Sequence, residues 1–324
     1  VHEYPTSGPP VEFSVYLSAD LTPPAVYKEI TYTKGHGRNV VTRSTPAPDY
    51  YFDNSQHLLR FIVEVYDGNR REAESDPGRL VGRQEIITEI DARAAQCKAS
   101  FTLPHGDYTI VGWSDYANKQ DPGKLIYDCS NLYEITYATA PIEDNHSKET
   151  FSNVMEHTIV FNYKESSAPP VTLGMTRPKG YYKIIATDLA EFEESGKTLN
   201  DIRVEISYKQ FVSTGYNTIT QSPNKYQQTH TYSMDPLTIT ENGADAALVG
   251  YDYVFVNGTQ STVKADLMVY DSADNLLRTT TDIEIPLVRN KQTIIKGQFL
   301  TTSFGSGGMD VDEEFEGEII IPVN

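Results

Sequence analysis

Three stretches of the sequence gather residue types that can do chemistry, and each lacks a part. In GWSDY (residues 112–116) a serine follows a glycine as in a nucleophile elbow. Tyr116 stands where the second glycine of that tight turn is needed, so Ser114 reads as a turn residue. KGHGR (residues 34–38) has the glycines and cations of a phosphate loop, but no strand before it and no helix after it, and reads as a loop tip. Near the carboxyl end Asp310, Asp312, Glu314 and Glu316 alternate, yet a calcium loop started at Asp310 would need glycine at Phe315 and glutamate at Ile321. These carboxylates read as a solvated edge. The seven histidines fall in no metal-ligand spacing, and His105 follows Pro104 in an expected turn. No catalytic group, metal or cofactor is expected, and the chain is read as not an enzyme.

Cys97 and Cys129 are too few for a disulfide scaffold or a zinc site. Two readings stay open: a single bridge in an exported protein, or two buried thiols. Asn145-His146-Ser147 and Asn257-Gly258-Thr259 match the N-glycosylation spacing but indicate no secretory context, and Asn-Gly has its own reason in a tight hairpin turn.

The elements that would position these residues are mostly strands. Tyr is abundant, 22 residues against 12 Phe and one Trp, and long helical runs are few, which favours an all-β chain. The formal net charge of -18 opposes a nucleic-acid partner. No apolar run reaches the ~18 residues of a membrane helix, and no signal segment opens the chain. Its start at Val1, not Met, leads us to expect an upstream segment that has been removed.

At 324 residues, two cores are expected. The break falls at ESSAPP (residues 165–170), where apolar periodicity stops and paired prolines remove donors. This gives one β-sandwich over residues 1–170 and a second over 171–324. In the first half VEFSVYLSAD puts Val11, Phe13, Val15 and Leu17 on one face. A long polar loop is expected over residues 22–53, then a strand and turn at LLRFIVEVYDG, in a meander or Greek key. In the second half DIRVEISYKQF and STVKADLMVYD alternate cleanly, and DIEIPLVRNKQTIIKGQFL reads as a hairpin about Arg289-Asn290-Lys291. Short helices are expected near IITEIDARAAQ and GADAALVG.

From Met175 the phrases MTRPKGYYKIIATDLAEF, GYNTITQSPNKY, GYDYVFVNG, IPLVRNKQTIIKGQFLT and GGMDVDEEFEGEIIIPV follow one another. In that order they resemble the fimbrillin-like proteins of Bacteroidales, the type V pilins and their lipoprotein relatives. HEYP and LPHGDYTIVGWSDY are similar to phrases of the Bacteroides members. The resemblance implies two tandem transthyretin-like β-sandwich domains, export as a lipoprotein to the outer membrane, and assembly with other fimbrial subunits into surface fimbriae that adhere to hosts or other bacteria. The membrane would be reached only through a lipid anchor on the precursor.

The resemblance also implies that an Arg- or Lys-directed protease removes the first strand of the first domain, and that a neighbour's terminal strand replaces it. Carried onto this chain, the removable strand is residues 11–17 and the cleaved bond follows Arg38 or Arg43. The donor strand is Glu318, Ile319, Ile320, Ile321, Pro322 and Val323. Ile319, Ile321 and Val323 share one face, and Pro322 lacks an N–H, which suits a strand bonded along one side. Two alternatives remain beside this: a permanent first strand and a tail that closes its own domain, in a surface lipoprotein that binds a glycan or a host protein without polymerising.

Overall fold

The computed structural model describes residues 9–42, 54–69, 78–90, 94–138, 145–160, 165–227 and 230–306. The chain is all-β, and its described residues form five sheets. A three-stranded sheet, in the order β11 (Val171–Met175), β1 (Val11–Asp20), β6 (Ala94–Leu103), is accompanied by a four-stranded one, β10 (Thr150–Ile159), β7 (Gly106–Asn118), β4 (His57–Asp67), β5 (Leu80–Thr88). Between them lie Phe13, Val15, Leu17, Phe61, Val63, Ala99, Ile110 and Leu173.

The second sandwich has a six-stranded sheet, β17 (Leu237–Glu241), β18 (Ala244–Phe255), β12 (Lys179–Ala186), β21 (Lys291–Gly297), β2 (Ala25–Thr33), β3 (Gly37–Thr42). It packs on β16 (Thr231–Met234), β13 (Ile202–Tyr208), β19 (Gln260–Asp271), β20 (Leu276–Val288) around Ile184, Val204, Ile206, Leu267 and Ile285. A fifth sheet, β15 (Ser222–Gln227), β14 (Val212–Asn217), β9 (Ile135–Tyr137), β8 (Tyr127–Asp128), is built from both halves of the sequence. Its seam needs a glycine: a Cβ on Gly215 would sit 2.7 Å from the carbonyl oxygen of Ile135.

Strict alternation decided several strands. Val11, Phe13, Val15 and Leu17 are all buried on β1, and β13 buries Ile202, Val204, Ile206 and Tyr208 while the residues between them are half-exposed. β19 does the same with Val263, Ala265, Leu267 and Val269. The Asn257-Gly258-Thr259 turn joins β18 to β19, with Gly258 at φ +69°.

Other expectations fail for physical reasons. Much of the polar stretch 22–53 is the hairpin β2–β3, turned over Lys34 to His36 with Gly35 and Gly37 at positive φ. The presumed hairpin about Asn290 is an arch: β20 pairs with β19, whereas β21 runs parallel to β12 and β2 in the facing sheet. IITEIDARAAQ and GADAALVG contribute to strands β5, β6 and β18, and the one α-helix among the described residues is α1 (Leu189–Glu194). In the first sandwich a single pairing, β4 with β5, joins consecutive strands, so it is no meander. Ser114 is no turn residue but lies buried in the middle of β7.

The strands do not sort at residue 170. β2 and β3 belong to the second sandwich, while β11, which follows the break, pairs in parallel with β1 in the first. The bridge between Cys97 and Cys129 does not form: both are free thiols. Cys97 packs against the core that takes Phe61 and Val63 from β4, and Cys129 packs with Ile62 and Trp113 on the opposite face of the same sheet. The sheet stands between them.

Burial pushes the Cys97 thiol up to about 11, and it raises Cys129 strongly, helped by Asp115 and opposed by Arg60 and Arg83. The thiolate is the reactive form. Both cysteines are therefore expected to resist iodoacetamide at pH 8 in the folded protein and to react promptly in urea. Mass spectrometry of native and unfolded samples checks this; rapid native labelling contradicts the packing.

Candidate functional site

The buried polar side chains of the described residues concentrate at the junction where the two sandwiches interlock. Three strand exchanges build it: β2 enters the second sandwich beside β21, β11 enters the first beside β1, and β14 pairs with β9. The crossing between β1 and β2 is fixed by Gln292, whose Nε2 donates to the carbonyl oxygen of Pro24 at 3.0 Å.

Beneath these strands lies a buried polar chain. Its centre is Asp252 on β18, 3% exposed, which accepts hydrogen bonds from Lys148 Nζ at 3.1 and 3.3 Å and from Tyr208 Oη at 3.0 Å. The N–H of Tyr253 adds a third donor at 2.7 Å. Tyr208 continues the chain to Tyr182 Oη at 2.7 Å, and Tyr182 to Tyr232 Oη at 3.0 Å. On the other side Lys148, held in a 3-10 turn (His146–Lys148), offers its carbonyl oxygen to Tyr127 Oη at 2.6 Å and Lys179 Nζ at 3.0 Å.

Lys148 takes the carboxylate, and Lys179 lies beyond hydrogen-bond contact with it. Burial drives the Lys179 amine well below its ordinary value; Asp252 opposes the shift and the Lys148 charge adds to it. Lys179 instead donates to Tyr127 Oη at 2.5 Å and Tyr137 Oη at 3.1 Å, 4.2 Å from the centroid of the Phe255 ring. Burial also raises the phenols of Tyr127, Tyr208 and Tyr232 far above their usual range, so they stay neutral donors.

A second cluster centres on Glu149, the residue after that turn. It pairs with Arg177 and accepts from Tyr116 Oη at 2.7 Å and Tyr253 Oη at 3.3 Å. Arg177 Nη1 donates to Asn290 Oδ1 at 2.9 Å, and the Asn290 N–H donates to the carbonyl oxygen of Lys179 at 3.0 Å. A third cluster pins the connection from β7 to β9. Arg60 is bidentate to Asp115 at 2.7 and 2.6 Å, and Trp113 Nε1 joins the same carboxylate at 3.1 Å. Glu64 binds Arg83, Tyr66 and the N–H of Leu132. At the surface of this cluster opens a cleft of 460 Å³ lined by Arg60, Arg83, Lys124, Tyr127, Cys129 and Ser130.

The residues singled out from sequence lie elsewhere. Arg38 is on the edge strand β3, not in a loop, and pairs with Glu284 of β20 at 2.7 Å. Arg43 and the segment Glu318, Ile319, Ile320, Ile321, Pro322 and Val323 fall outside the described residues. Asn145 is 4% exposed, with its amide donating to the carbonyl oxygen of Tyr251 at 2.8 Å, a poor acceptor for a glycan. Sequence reasoning passed over Lys148, Lys179 and Asp252. The available signal was charge inside apolar strand runs, KGYYKIIA and GYDYVF, since a buried lysine is nearly always partnered.

Removing one partner of a buried pair strands the other charge, so Asp252→Ala is expected to cost about 3–5 kcal/mol of stability in urea denaturation. Lys179→Met, which takes the donor from Tyr137 Oη and the Lys148 carbonyl oxygen, is expected to cost about 1–3 kcal/mol. Because burial lowers the Lys179 amine in the folded chain, the unfolded chain holds that proton to higher pH, so wild-type stability gains on the variant as pH rises toward the ordinary lysine range. A constant gap from pH 7 to 10 contradicts the lowered amine.

No curated protein matches the chain. Among solved structures, a candidate polysaccharide-binding protein of Bacteroides thetaiotaomicron is 12% identical, with 83% of this chain and 79% of that one covered and a TM-score of 0.45. A candidate adhesin of Bacteroides ovatus is 10% identical, with 89% of each chain covered and a TM-score of 0.44. The fimbrial anchor protein Mfa2 of Porphyromonas gingivalis is 9% identical, with 84% of this chain and 82% of that one covered and a TM-score of 0.37. Residues 14–324, nearly the whole chain with both sandwiches and their junction, match DUF6562, a family of unknown function, and the chain belongs to that family.

Proposed function

We propose that this chain is a structural or adhesive subunit of a surface fimbria, not an enzyme, exported as a lipoprotein and joined to other subunits by exchange of a terminal strand. The observation that carries the reading is the seating of β1. It is paired on both sides, with β6 over ten residues and with β11 over five, and it buries Val11, Phe13, Val15, Leu17 and Ala19. At roughly 1.5–3 kcal/mol for each large side chain, β1 contributes on the order of 10 kcal/mol. Such a strand does not leave unaided. A backbone cut followed by a replacement strand with the same alternation is the route by which the groove could change hands.

Ile319, Ile321 and Val323 offer that alternation. A cut after Arg38 or Arg43 would detach not only β1 but β2, opening a groove in each sandwich. The two transthyretin-like domains would then be sandwiches laced together by strands that cross residue 170, β2 and β3 into the second and β11 into the first. The alternative, a non-polymerising surface lipoprotein that binds a glycan or host protein, has the cleft beside Arg83, Lys124 and Tyr127 in its favour.

Treating the full-length lipoprotein precursor with an Arg-specific protease is expected to produce heat-sensitive ladders on a denaturing gel. Glu284→Ala, which releases Arg38, is expected to speed cutting at that bond. Deletion of residues 318–324 is expected to abolish the ladders and leave folded monomer. Cut protein that stays monomeric, with glycan-array binding by the uncut chain, selects the alternative.

A further inference from the structure

The outermost strand of the six-stranded sheet is β3, and among the described residues no strand pairs with its far side. Val40 and Val41 are 41% and 42% exposed. Adjacent residues of a strand point to opposite faces, so β3 presents apolar β-branched surface on both sides of an open ladder. The hairpin is also net basic on a chain of net charge -18: it carries Lys28, Lys34 and Arg38, the last paired with Glu284 at 2.7 Å, and its one acid, Glu29, is held by Lys296 at 3.3 Å.

The described chain ends beside this hairpin. The Phe304 ring lies 5.7 Å from that of Tyr32, whose cross-strand partner is Arg38, and Gln298 Oε1 accepts from the N–H of Lys34 at 3.4 Å. The next eighteen residues, 307–324, carry six acids and no base, and then Ile319, Ile320, Ile321 and Val323. Residues 307–317 can reach at most about 36–40 Å, against a length of about 20 Å for six-residue β3, so either direction of pairing is within range.

We propose that residues 307–324 dock on β3 of their own chain as a seventh strand, with acids 310–318 against the basic hairpin and residues 319–323 covering Val40 and Val41. Pro322 suits this position, because an outermost strand needs donors along one side only. Charge complementarity brings the segment to the edge and main-chain bonding holds it there. One consequence rests on the assembly reading above: a cut after Arg38 divides β3 and frees the tail at the moment the β1 groove can open. The docking itself concerns the uncut chain and stands or falls without polymerisation.

Hydrogen exchange followed by mass spectrometry, on the full chain and on a chain ending at Ser306, tests the docking. Exchange at residues 39–42 is expected to be at least about tenfold slower in the full chain, independent of protein concentration, and faster in 1 M salt. Lys34→Glu, in an exposed turn, is expected to weaken the same protection without shortening the chain. Equal exchange at residues 39–42 with and without the tail overturns the proposal, as does protection that grows with concentration, which would place the tail on a second copy. The protease ladder is a separate readout, so polymerisation can fail while docking holds, or the reverse.

Discussion

A carboxylate at 3% exposure keeps its charge only if donors surround it, and the junction of this protein is organised around meeting that demand at Asp252. Lys148, Tyr208 and the Tyr253 N–H all point at it. Once Lys148 is held there, its own carbonyl is fixed, and Tyr127 and Lys179 are fixed through that carbonyl. A group from the second sandwich thus dictates the path of a turn that opens β10 in the first. Hydrogen bonds are directional where apolar contact is not, so a joint of this kind holds one orientation and resists sliding.

The strand exchanges act in the same sense by other means. β1 and β2 sit in different sandwiches on one short crossing, and β11 returns the link in the opposite direction. Glu149 and Arg177 connect the two devices, because Arg177 reaches Asn290 in the arch from β20 to β21, and β21 is the strand on which β2 lies. Pulling on the amino-terminal strand would load both sandwiches and their polar joint together.

What was legible in the sequence follows from how local the signal is. β1, β13 and β19 bury one face each, so period-two alternation declares them. β2 hides because of a bulge between Val26 and Lys28: Val26 and Ile30 have the same parity yet belong to different clusters, on opposite faces of the sheet. Asn290 has the left-handed backbone expected of a tight turn, but nothing local says whether the strands on either side share a sheet. β12 is buried along its whole length, and its lysines look like surface residues until their partners arrive from segments far away in sequence. For the same reason the two cysteines could not be judged, since the sheet that separates them is assembled from distant strands.

The pairing of β2 with β21 sets an order of events during folding. Gln292 and Pro24, joined across that crossing, are 268 positions apart. Contacts of such separation are costly in loop entropy and late to form. A chain emerging from its amino end therefore carries β2 and β3 with no sheet to enter until almost everything else has been made. Over that interval an exposed β-branched segment is a hazard for aggregation. Among the described residues β21 is the strand that retires it, so the amino-terminal hairpin stays unprotected until a segment more than 250 positions later has been made.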